Sequence, residues 1–349
     1  MKNINPYNCT IPGKLFVGFQ ELRQELLSGF RNGNSYAILG GRRCGKTSLL
    51  LQIKKDLQAQ SEVLSPFCLL PRYIDIQQFN ELTPALLFES IYDVVIQGSD
   101  APSWVEEKKG REYQTFLTHL DQAKPILDAQ YGPDWLVTLL IDEMDGALKK
   151  LPDDQFFQNL RNLLMVSRFN RHFRIVAAGV KDMSKLIFSG SSPLNNLLHE
   201  YLRILDGDEI DELIQAGFKE GLNTKIVFQL LQLTGGHQYL LQGVLEKLWQ
   251  KRDHIDKIAL KNATEKFLRQ HSDFDHWLNY FGLPEHVVYQ RLSATKDGIL
   301  HIRDLREGIE PSVATKVDDA ITVLAYHGII DDSDPDEPQI AGTMFRDWY

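Results

Sequence analysis

Positive charge is in short supply: 38 lysines and arginines face 47 aspartates and glutamates, a formal net charge of −9 over 349 residues. That balance opposes broad electrostatic attraction to nucleic acid or anionic lipid, although a local basic face is compatible with it. Cysteine is scarce as well. Cys9, Cys44 and Cys68 are too few and too unevenly placed for a disulfide framework, and no C-x-x-C spacing offers a metal site. No apolar run approaches the length of a membrane span, and the opening MKNINPYNCTIPG lacks the apolar core of a signal peptide. These absences point to a cytoplasmic protein with no membrane partner, whose ligand is another protein or a small molecule. What is present suffices for folding: 43% of residues are apolar, over a length that implies two or three domains.

The stretch SYAILGGRRCGKTSLLLQI, Ser35 to Ile53, sets a short apolar run before a glycine turn and a helix pattern. Within it, Gly40, Gly41, Arg42, Arg43, Cys44, Gly45, Lys46 and Thr47 spell G-x-x-x-x-G-K-[ST], the phosphate-binding loop, with Ser48 next. The glycines let successive backbone N–H groups turn toward phosphate oxygens where a side chain would collide. Lys46 supplies a point charge to the β and γ phosphates, and the Thr47 hydroxyl can ligate the bridging magnesium. The start of the following helix adds its positive end. Arg42 and Arg43 are read either as phosphate or subunit contacts or as solvated loop residues, and Cys44 receives no catalytic role.

About a hundred residues later, DWLVTLLIDEMDGAL reads as a buried central strand that ends at Asp142 and Glu143. Ligands of open α/β sheets sit at such strand ends. Asp142 is expected to hold magnesium through water, and Glu143 to orient or deprotonate the attacking water. RYIDIQ (Arg72 to Gln77) and FRIVAAG (Phe173 to Gly179) have the β-branched, apolar character of further core strands. The sum is an α/β sheet of nucleotide-binding type.

After Leu205 the strands give way to helix patterns separated by glycine stops, the signature of a small helical domain. From about Phe274, helix patterns and the turn-rich DDSDPDEPQI suggest a winged helix, a variant of the DNA-binding helix-turn-helix. Charge argues against DNA contact there. Asp318 and Asp319 lie on the presumed recognition helix, and Asp331, Asp332, Asp334, Asp336 and Glu337 crowd the wing, where phosphates would repel them.

Taken in order, NPY, KLFVGFQELRQEL, LGGRRCGKTSLL, YIDIQ, LLIDEMD, AAGV, SSPLNNLL, LTGGHQYLLQ and the terminal FRDW resemble the STAND class of P-loop ATPases within the AAA+ superfamily, close to its archaeal-type families. The resemblance covers nearly the whole chain. It implies the fold class α/β, a P-loop NTPase (AAA-type) parallel sheet core at 1–205, an all-α lid at 206–272 and a winged-helix domain at 273–349. Such proteins close around ATP or ADP with magnesium and act as regulated switches, so His237, in TGGHQ, is implied near the nucleotide. The other reading of His237 is a helix N-terminal residue satisfied by backbone. Three positions depart from the family pattern: Phe19 replaces an arginine, Gln238 a proline, and Val180 stands where a polar γ-phosphate sensor is found. Arg203, Arg161 and Arg168 are candidates for an arginine finger in a nucleotide-dependent homo-oligomer.

The expected function is a slow, ATP-driven switch acting on a separate effector protein, in a setting such as bacterial defence or signalling. The alternative is a DNA-associated ATPase resembling replication initiators or transposition regulators. A third reading is a module that holds nucleotide without turning it over.

Overall fold

The four apolar runs become strands in the computed structural model, which describes residues 4–59, 67–105, 110–151, 153–188, 191–252, 254–270 and 274–349. These residues divide into two units. One holds Phe19–Leu39 and Lys46–Glu200; the other holds the described part of Met1–Gly18, Gly40–Gly45 and Tyr201–Tyr349. We refer to them as the sheet unit and the helical unit.

The sheet unit runs α1 (Gln20–Arg31), β1 (Tyr36–Leu39), α2 (Lys46–Ala59), β2 (Cys68–Asp75), α3 (Pro84–Ile96) and α4 (Glu112–Tyr131). It continues with β3 (Trp135–Asp142), α5 (Met144–Lys150), α6 (Gln155–Met165), β4 (Phe173–Gly179), α7 (Ser184–Ile187) and β5 (Leu198–Tyr201). The strand order is β2-β3-β4-β1-β5, and the pairs β2/β3, β3/β4 and β4/β1 are parallel. Parallel strands need helical crossovers, which cover both sheet faces and force the central strands to be apolar throughout. All eight residues of β3 and all seven of β4 are accordingly buried. Register aligns Leu39 with Gly179 and Ile141 with Ala177, so the carboxyl ends of β1, β4 and β3 share one edge of the sheet. The chain reverses its order there, placing β1 and β3 on either side of β4.

α2 buries Lys46, Leu49, Leu50, Ile53 and Leu57, the spacing of one helical face. β2 is longer than RYIDIQ suggests: it begins at Cys68, and a 3-10 turn takes Ile76–Gln78. β5 is a fifth strand that the apolar runs do not announce.

The helical unit contains α8 (Gly207–Gln215), α9 (Thr224–Thr234), α10 (Gln238–Leu248), α11 (Lys257–Gln270) and α12 (Phe274–Leu278). There follow α13 (Leu283–Ala294), α14 (Ile302–Arg306), α15 (Pro311–Ala314), α16 (Val317–Tyr326), β6 (Ile330–Asp331), β7 (Gln339–Ile340) and α17 (Thr343–Trp348). α8 starts in a capping box: Asp206 accepts the Glu209 N–H at 3.0 Å, and Glu209 accepts the Asp206 N–H at 3.0 Å. α10 is buried on nearly every side, and Gly243 admits α11 so closely that an added Cβ would lie 2.1 Å from the Phe267 ring. β6 and β7 pair antiparallel as a hairpin around DDSDPDEPQI, with Ile299 bridged to Gln339. The terminal FRDW segment is held by aromatic packing, with Phe345 at 5.3 Å from Phe274 and 5.7 Å from Trp277, centroid to centroid.

The presumed single recognition helix is broken between Ala314 and Val317 into α15 and α16. The expected boundary between residues 272 and 273 falls in 271–273, outside the described residues. No described helix is long and apolar enough to cross a membrane.

Candidate nucleotide site

On the sheet unit, Lys46 and Thr47 open α2, and Lys46 is only 5% exposed. Asp142 ends β3, 2% exposed, and each of its oxygens accepts one hydrogen bond. The Tyr73 hydroxyl donates to Oδ2 at 3.0 Å, and the Glu143 backbone N–H donates to Oδ1 at 3.0 Å. Glu143 itself sits at φ 55°, in the left-handed region that an L side chain adopts only under constraint. Burial pushes its carboxyl above the usual range; Lys46 opposes that, and the negative charges of Asp145, Asp142 and Asp75 add to it. Burial together with the Asp142 carboxylate pushes the Tyr73 hydroxyl far above its ordinary value, so it remains a donor. Asp145, also buried, accepts the Val180 N–H at 3.2 Å and ties the end of β4 to α5.

A carboxylate with a raised pKa can take a proton from water near neutral pH, as a general base must. Thr47 and Asp142 are hard oxygen donors of the kind magnesium prefers, and both donors to Asp142, the Tyr73 hydroxyl and the Glu143 N–H, are uncharged groups. Among the described residues no group of three or more His, Cys, Asp or Glu side chains could hold a metal alone. Thr47 and Asp142 would thus hold magnesium as a small share of its oxygen ligands, where it would supply positive charge.

On the helical unit lies the loop Gly40–Gly45, which continues covalently into Lys46. Gly45 has φ 89° and Arg43 φ 66°. The Gly41 N–H donates to the Tyr326 carbonyl at 2.7 Å, and the Cys44 thiol points to the same oxygen at 3.3 Å. Arg43 lies over the Tyr239 ring at 5.1 Å, and Arg42 is exposed. His237 caps α10, its Nδ1 accepting the Tyr239 N–H at 3.2 Å, while its Nε2 is 3.7 Å from Cys44 Sγ. The ring stacks on Trp277 at 4.9 Å, and complete burial lowers its pKa to about 4. Gln238 comes so close that a Cβ on Gly45 would lie 2.4 Å from its Oε1. The Gln238 amide could turn aside, but the φ of 89° would strain any L side chain, and that favours glycine there.

Of the candidate fingers, Arg203 pairs with Glu209 at 2.7 Å and Asp206 at 3.3 Å, and Arg168 Nε donates to Asp121 at 2.7 Å. Arg161 is half-buried on α6. Sequence reasoning passed over Tyr73, Asp145 and Tyr326. The only local signal was Asp145, two residues after Glu143 in DEMD; the partners of Tyr73 and Tyr326 lie 69 and 285 residues away.

The sequence matches no protein family and no curated protein. Solved structures do resemble the chain. The ORC2 protein of Aeropyrum pernix, in ADPNP-ADP complexes, superimposes with a TM-score of 0.59 at 13% identity, over 97% of this chain and 94% of its own. A Walker-type ATPase of Pyrococcus abyssi gives 0.61 at 13% identity over 95% of each chain. The chain has the AAA+ fold. Its parallel P-loop sheet core followed by an α-helical lid is the architecture of these structures. The Aeropyrum pernix ORC1 protein in complex with DNA is similar as well, with a TM-score of 0.52 at 12% identity over 93% of this chain and 89% of that one.

Proposed function

We propose that this AAA+ chain binds ATP or ADP with magnesium and hydrolyses ATP slowly, as a nucleotide-governed switch. The observation that carries the reading is the acidic end of β3: buried Asp142 beside Glu143, whose carboxyl is raised by burial and answered by Lys46. In this reading Lys46 and the loop amides other than Gly41, whose N–H is taken by the Tyr326 carbonyl, bind the phosphates, and Thr47 and Asp142 hold the magnesium. Bound there, magnesium neutralises charge developing on the phosphate oxygens. Glu143 takes a proton from the water whose oxygen bonds to the γ phosphorus, as the bond from that phosphorus to the leaving ADP oxygen breaks. His237, Ser48 and the loop residues Arg42, Arg43 and Cys44 complete the proposed binding set. The division into core, lid and winged helix at 1–205, 206–272 and 273–349 belongs to the same proposal.

Two settings remain. Likeness to an ORC protein solved with DNA favours a DNA-associated ATPase. The exposed acids Asp332, Asp334, Asp336 and Glu337 between β6 and β7 favour a STAND-type switch with a separate protein effector, self-associating when nucleotide changes. Both require the same chemistry. The test is to denature the purified protein, identify released nucleotide by chromatography, and measure phosphate release from added ATP, with Lys46→Ala as control. Nucleotide and turnover in the wild type alone support the reading; no binding and no turnover in either protein refute it.

A further inference from the structure

Tyr73 lies on β2 in register with Leu140, and Asp75, two residues on, is level with Asp142. Side chains two apart on a strand point to the same face, so the Tyr73 ring runs along the sheet for about 6–7 Å to bring its hydroxyl to Asp142. No shorter side chain spans that rise, and phenylalanine spans it without a donor. Past the end of β4, on the other flank of β3, stands the apolar Val180, whose amide is taken by Asp145. Asp142 therefore owes its side-chain hydrogen bond to the β2 side. Its second oxygen accepts the N–H of Glu143, whose φ of 55° persists only if its surroundings over-determine it.

We propose that Tyr73 is a positioning residue of the nucleotide site: its hydroxyl fixes the Asp142 carboxylate toward magnesium, and through Asp142 holds the backbone turn that aims Glu143. A neutral donor suits this task, because it orients the carboxylate without cancelling the charge a cation needs. Outer partners of metal-binding carboxylates act in this way, and their removal weakens metal affinity by about 10–100-fold. The inference rests on the ATPase reading above.

The test titrates magnesium chloride against wild type, Tyr73→Phe, Asp142→Asn and the double variant, each holding a fluorescent ADP analogue, with Lys46→Ala as the site control. The expected result for Tyr73→Phe is magnesium-free ADP affinity within about twofold of wild type, and about tenfold more magnesium for half-maximal tightening. In the Asp142→Asn background, Tyr73→Phe should produce no further shift, since both changes break one unit. Three results would overturn the role: an unchanged magnesium requirement; ADP affinity weakened equally with and without magnesium, which marks a loosened strand; or an undiminished shift in the Asp142→Asn background. If the wild type holds the analogue and Lys46→Ala does not, any of these removes Tyr73 alone. If the wild type holds none, the ATPase reading falls with it.

Discussion

Three non-glycine residues occupy the left-handed region: Phe19, Arg43 and Glu143, at φ 56°, 66° and 55°. Each forgoes about 1–2 kcal/mol relative to an ordinary backbone, and Glu143 is the one that adjoins the buried Asp142. Strain placed there is consistent with residues held for chemistry. Glu143→Gln keeps the side-chain shape and loses the proton acceptor. ATP binding should stay within about twofold of wild type, while turnover falls by about 10²–10⁴-fold. Phosphate release measured beside nucleotide retention checks this, and unchanged turnover would remove Glu143 from the mechanism. His237 offers a second test at this scale, through pH. Burial lowers its pKa from 6.5 to about 4, so between those values the unfolded chain binds the proton more tightly. Stability linked to His237 is complete above pH 6.5 and is lost as pH falls toward 4, by about 3 kcal/mol at most. His237→Asn retains an N-cap for α10 without a titrating ring. Its melting temperature relative to wild type should therefore rise as pH drops through that window, and a constant difference would contradict the assignment.

Among the elements, α10 shows how packing reverses propensity. Gly243 lies inside a helix, where alanine would ordinarily gain about 1 kcal/mol. The Phe267 ring leaves no room for the extra carbon, so Gly243→Ala should instead destabilise by about 1–3 kcal/mol. Denaturant unfolding checks the sign, and Phe267→Leu in the same chain should recover part of the loss. The same contrast between local and distant causes explains what could be read from sequence. β1, β3 and β4 were legible because central parallel strands must be continuously apolar, and the loop was legible because its glycines and Lys46 adjoin in the chain. β5 was not: at the sheet edge, Leu198, His199 and Tyr201 are exposed, so LHEY carries no burial pattern. The break between α15 and α16 has no proline or glycine to mark it, and its cause is not visible in the local sequence. Tyr73 read as a core strand residue, because its partner Asp142 becomes a neighbour only when β2 and β3 pair.

For the whole molecule, the open question is whether a chain of net charge −9 works on duplex DNA. Overall charge does not decide it, since binding depends on how many phosphates a local face neutralises. Three such contacts would make the affinity fall about 40-fold between 50 and 200 mM salt. The face cannot be the hairpin tip, where Asp332, Asp334, Asp336 and Glu337 are exposed and no lysine or arginine occurs from Val317 to Phe345. A DNA-associated ATPase of this sequence must therefore bind despite its hairpin, and changing those four acids to their amides should tighten duplex binding by removing repulsion. Fluorescence anisotropy with a labelled duplex across that salt range, with ATP and with ADP, tests both statements. A steep salt slope in the wild type, with tighter binding by the amide variant, supports the DNA setting. No binding at 50 mM salt by either protein would leave the acidic hairpin to a protein partner, and affinity lost on neutralisation would show that the acids themselves make the contact.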